Sequence, residues 1–71
     1  MGSKLNNEIL DALSENGELA LKELYKILFD NPNLDLQEST KKHRVRSALY
    51  NLQQHEKIER GGDATYRVSD K

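Results

Sequence analysis

A chain of 71 residues has room for one domain with one small core, because chains this short bury only about 60% of the surface they expose when unfolded. It contains neither cysteine nor tryptophan, which excludes disulfides, thiolate metal ligation and a large aromatic anchor, so the core must come from Leu, Ile, Val and Ala. The net charge of −1 conceals a division, since residues 1–40 carry three Lys against eight Asp or Glu, a net of −5, and residues 41–71 carry eight Lys or Arg against four Asp or Glu, a net of +4.

No apolar run approaches the roughly 18 residues of a membrane span, and no N-terminal stretch has the apolar core of a signal peptide. The expectation is an intracellular protein of the cytoplasm, nucleoid or nucleus, without a membrane partner. Met1-Gly2-Ser3 reads as a remnant of recombinant expression, leaving residues 4–69 as a single domain.

In chain order, Leu5, Ile9, Leu10, Ala12 and Leu13 cluster on one side of a helical wheel and predict a first helix over residues 5–15, ended by Asn16-Gly17. Glu18-Leu19-Ala20 is too short for a helix and reads as a stub of extended chain. Leu21, Leu24, Tyr25 and Leu28 at i, i+3, i+4 and i+7 predict a second helix over 21–29. The turn formers Asp30-Asn31-Pro32-Asn33 end it, and the alternation of Leu34 and Leu36 with Asp35 and Gln37 predicts an ordered loop tucked onto the core. Ser39 or Thr40 can cap a third helix over 40–55, whose buried stripe is Val45, Ala48, Leu49 and Leu52. Lys57-Ile58-Glu59-Arg60 and Thr65-Tyr66-Arg67-Val68, separated by Gly61-Gly62-Asp63-Ala64, predict a two-stranded hairpin with Ile58, Tyr66 and Val68 facing the core. The fold class is therefore α+β, three helices followed by a C-terminal β-hairpin, without repeats or a second domain.

The third helix carries the chemistry. With Val45 at the centre of the buried face and about 100° per residue, Lys42, His43, Arg46, Ser47 and Tyr50 fall opposite it and Arg44 flanks them. Lys41 and Lys42 occupy the first turn, where their charge opposes the helix dipole. A stripe of donors on a helix suits the major groove of duplex DNA, in which Arg bonds guanine and hydroxyls reach phosphates. The same stripe also fits a plainly solvated face. Tyr50 either stacks on nucleic acid or packs against Tyr66 at the edge of the core. On the hairpin, Lys57, Arg60 and Arg67 read as alternating out of phase with the apolar positions and so as facing solvent, beside a Gly61-Gly62 tip that either admits a phosphate or only makes the turn. His43 and His55, twelve positions apart without a carboxylate at ligand spacing, suggest no metal site. No nucleophile elbow, phosphate loop or paired carboxylates are present, so neither catalysis nor a cofactor nor a small-molecule ligand is expected.

The run Lys41-Lys42-His43-Arg44-Val45-Arg46-Ser47-Ala48-Leu49-Tyr50-Asn51-Leu52, followed by Lys57-Ile58-Glu59-Arg60 and Tyr66-Arg67-Val68, resembles the recognition helix and wing of winged helix-turn-helix DNA-binding domains. Lys42 and Leu49-Tyr50-x-Leu52 carry a weaker similarity to the Zα domains that bind left-handed DNA, with Arg46 standing where that pattern has Asn. The resemblance implies duplex DNA bound by the third helix and the wing, in a transcriptional regulator or a domain of a larger DNA-associated protein. The alternative is a winged helix used for protein interaction or homodimerisation, with Leu34 and Leu36 at the contact.

Overall fold

The computed structural model describes residues 3–69; the expression remnant proposed for Met1 and Gly2 lies outside them, and Ser3 already belongs to the first helix. The elements are α1 (Ser3–Asn16), β1 (Glu18–Ala20), α2 (Leu21–Phe29), α3 (Lys41–Gln54), β2 (Ile58–Arg60), a short 3-10 turn (Gly62–Ala64) and β3 (Thr65–Val68). The α+β class and the three helices follow the sequence reading, but the sheet has three strands. The predicted stub is β1, which pairs antiparallel with β3 so that Leu19 faces Tyr66, and the strand order is β1-β3-β2. Three residues carry too little pattern to announce a strand; what makes them one is a partner 45 or more residues away.

Each helix ends for a local reason. At the end of α1 the Asn16 amide donates to the Ala12 carbonyl at 2.8 Å, and Gly17 takes φ +80, a left-handed conformation that costs glycine nothing. Ala20 cannot cap α2 with its side chain; instead the Glu23 carboxylate accepts from the Ala20 N–H at 2.9 Å. At the end of α3, Glu56 N–H donates to Gln53 O and Lys57 N–H to Leu52 O, the paired bonds of a Schellman closure. Glu56 holds the left-handed position, at φ +58, where glycine is the usual occupant, and so this closure left no mark in the sequence.

The loop between α2 and α3 is built rather than slack. Asn31 donates from its amide to Glu8 of α1 at 2.9 Å, and its side-chain oxygen accepts from Asn33 N–H at 2.9 Å. Leu34 and Leu36 pack against the core as predicted, each half-buried.

The core joins all three helices to one face of the sheet. Leu5, Ile9 and Leu13 of α1, Leu24 and Leu28 of α2, Val45, Leu49 and Leu52 of α3, and Leu19, Ile58 and Tyr66 of the sheet are buried, and no charged side chain is buried among the described residues. Val68 departs from expectation, being 37% exposed. It faces the same side as Ile58 but lies at the last position of its strand, where it lines an open recess with Leu10 and Asp11 of α1.

The hairpin tip also differs from its reading. The left-handed residues are Asp63 (φ +58) and Ala64 (φ +54), not the two glycines. Gly61 is favoured for another reason: a Cβ there would meet the Thr65 hydroxyl at 3.1 Å and push that side chain aside by a few tenths of an ångström, whereas one on Gly62 would meet nothing.

Two stability measurements test this account. Leu24 is fully buried, and Leu24→Ala is expected to lower the unfolding free energy by about 2–5 kcal/mol, a large part of the roughly 4–10 kcal/mol available to a domain of this size, measured by urea unfolding. Ala64→Gly, which relieves a left-handed alanine, is expected to add about 0.5–1 kcal/mol and raise Tm by a few degrees; a fall in Tm would mean the tip conformation is wrong.

Candidate nucleic-acid interface

Rotation of α3 about its axis is set by the burial of Val45, Ala48, Leu49 and Leu52. With that stripe inward, Lys42, His43, Arg46, Ser47 and Tyr50 are all exposed. They line one open groove of ≈ 820 Å³ together with Asn51 and Gln53 of the same helix, Tyr25 of α2, and Arg60 and Tyr66 of the hairpin. None of these residues is acidic, in a chain with more acidic than basic residues. All three tyrosines of the protein are among them, and Tyr50 is 63% exposed, which removes it from the core edge.

The other predicted residues are placed elsewhere. The Lys41 ammonium lies 2.8 Å from a Glu38 carboxylate oxygen and 4.3 Å from the centroid of the Phe29 ring, so its charge is turned toward the body of the domain. Arg44 sits on the flank of α3 nearer α1, in a smaller recess with Leu5 and Asn6. His43 and Ser47 form the ridge between that recess and the main groove.

The hairpin cations separate in a way that corrects the alternation read from the sequence. Residues 58 and 60 are two apart in one strand and share a face, and the register puts Arg60 opposite Tyr66 and Glu59 opposite Arg67. Arg60 therefore lies on the helix side of the sheet, at the rim of the groove, rather than out of phase with Ile58. Arg67 lies on the opposite face, where it forms an ion pair with Glu59 at 3.1 Å. Lys57 lines a different recess, with Leu10, Asp11 and Val68, on the α1 side of the molecule. The ten residues singled out in the sequence thus divide into six that meet, Lys42, His43, Arg46, Ser47, Tyr50 and Arg60, and four that do not.

Asn51 and Gln53 were within reach of the sequence. Asn51 follows Ser47 by four positions and Gln53 follows Arg46 by seven, so both continue exposed helical rows. Tyr25 and Tyr66 were not, because each belongs to an apolar stripe and only the packing of α2 and the sheet against α3 gives them a second surface. Tyr25 stacks on Phe29, four residues along α2, with ring centroids 5.2 Å apart and planes 14° apart.

Chemically the groove offers long cations, hydroxyls and amides with aromatic faces between them, and none of the described residues lining it is a carboxylate. No three His, Cys, Asp or Glu side chains cluster to hold a metal ion among the described residues. No described helix is long and apolar enough to cross a membrane.

Because Arg46 and Tyr50 are exposed, Arg46→Ala and Tyr50→Ala are each expected to change the unfolding free energy by less than about 0.5 kcal/mol. A larger loss on urea unfolding would show that these side chains support the fold. No protein-family model, no curated protein and no solved structure matches this chain.

Proposed function

We propose that this protein is a winged-helix nucleic-acid-binding module that takes duplex DNA on α3 and the β2–β3 hairpin. The observation that carries the reading is the acid-free groove, in which Lys42, Arg46 and Arg60 from two separate elements share one surface with His43, Ser47 and Tyr50. Three helices and a three-stranded antiparallel sheet are compatible with a winged-helix layout, with the hairpin in the position of the wing. Each cation can neutralise a phosphate, and the hydroxyls and amides can bond to phosphate oxygens or base edges. A helix about 10–12 Å across fits a major groove about 12 Å wide, so α3 can enter while Arg60 follows the adjacent backbone. None of the acidic residues of the first half lines this groove, so none would oppose a polyanion within it. The proposal extends to a role in transcriptional regulation, or as part of a larger DNA-associated protein.

The test is a titration of random-sequence duplex at several salt concentrations. Three neutralised phosphates give a slope of log affinity against log salt near −2.7, or about a 40-fold loss between roughly 50 and 200 mM salt. Lys42→Ala, Arg46→Ala and Arg60→Ala should each reduce the slope by about 0.9, whereas Arg67→Ala, on the far face, should leave it within error of the parent. An affinity indifferent to salt, or Arg67→Ala as damaging as Arg46→Ala, would reject this docking.

A further inference from the structure

We infer that Tyr25, on α2, is a positioning residue for the nucleic-acid groove: its ring seats the Lys42 ammonium at the groove wall. The inference rests on the proposed function for its consequence, but not for its geometry. Lys41 and Lys42 are neighbours in the first turn of α3, fanned about 100° apart by the helix, and they meet the two rings of one stacked pair. Lys41 lies 4.3 Å from the Phe29 centroid, its side chain is only 20% exposed, and Glu38 holds it at 2.8 Å. Lys42 lies 5.9 Å from the Tyr25 centroid, is exposed, and lines a groove that no carboxylate enters. The same aromatic stack therefore treats adjacent lysines differently, one as a clamp between helices and the other as a cation presented outward.

The physical consequence follows from how a cation sits on a ring. The negative face of the ring engages one side of the ammonium at up to about 6 Å and leaves its remaining N–H donors for another acceptor. A lysine held in this way has surrendered part of its rotamer freedom before a phosphate arrives, so less is lost on binding. Tyr25 is itself held by the stack on Phe29, which gives the seat a fixed orientation. The hydroxyl has no part in this, and a phenylalanine should serve as well.

The seating is tested without nucleic acid, by NMR of the intact chain. The ε-methylene protons of Lys42 are expected upfield of those of Lys57, which lies in a different recess, with the displacement kept in Tyr25→Phe and lost in Tyr25→Leu. Equal shifts for the two lysines in the parent would overturn the seat, and this measurement decides it even if Tyr25→Leu fails to fold. Duplex titration then tests the consequence. Tyr25→Leu should weaken binding about 2- to 5-fold and Tyr25→Phe should bind like the parent. In a Lys42→Ala background Tyr25→Leu should cost nothing further, which a general structural defect would not produce. Tighter binding by Tyr25→Leu would mean that the ring sequesters the lysine, and an equal loss in the Lys42→Ala background would mean that the two residues act separately; either overturns the inference. A parent that bound no duplex would instead reject the proposed function, while the NMR shifts would still decide whether the seat exists.

Discussion

Burial of the aliphatic stripe of α3 is the constraint on which the surface depends. Val45 and Leu49 are essentially inaccessible, and Ala48 and Leu52 nearly so. At roughly 25 cal/mol per Å² of apolar surface, turning this stripe out by even one residue would forfeit several kcal/mol, comparable to the whole stability of so small a domain. The helix consequently has one rotation, and that rotation presents Lys42, Arg46 and Tyr50 together. The outward residues contribute little to folding and are free to be chosen for what they meet.

The same economy governs the supports of the groove. α2 contributes Leu24 and Leu28 to the core and, a quarter-turn away, the Tyr25–Phe29 stack that receives the two lysines. β3 is central in the sheet and holds Tyr66 between Leu19 and Arg60, so one residue closes the core on its inner side and lines the groove at its rim. With a core this thin, such double use is expected: there are too few residues for separate structural and surface layers.

Strain is concentrated where chain direction must change quickly. Glu56, Asp63 and Ala64 all hold left-handed conformations without being glycine, two of them in adjacent positions at the hairpin tip. The hydrogen bonds that enforce them, Lys57 N–H to Leu52 O at one end of the hairpin and Gly61 N–H to Thr65 O at the other, fix where β2 begins and ends. Arg60 is brought to the groove by that register, because a slip of one residue would send it to the face occupied by Glu59 and Arg67.

Periodicity alone determined the three helices, the inward stripe of each, the breaks at Gly17 and Asp30, and the outward set on α3, since these depend on a few neighbouring residues and a fixed angle per residue. The third strand, the placement of Lys41 against Phe29, the division of Lys57, Arg60 and Arg67 among three surfaces, and the entry of Tyr25 and Tyr66 into the groove were decided only by tertiary structure. Each of these turns on a partner distant in the chain: Glu18–Ala20 is a strand because Thr65–Val68 lies beside it, and a lysine turns inward because a ring from another helix is there to receive it. Local sequence sets which face of an element is apolar, while the choice of what stands opposite each face belongs to packing.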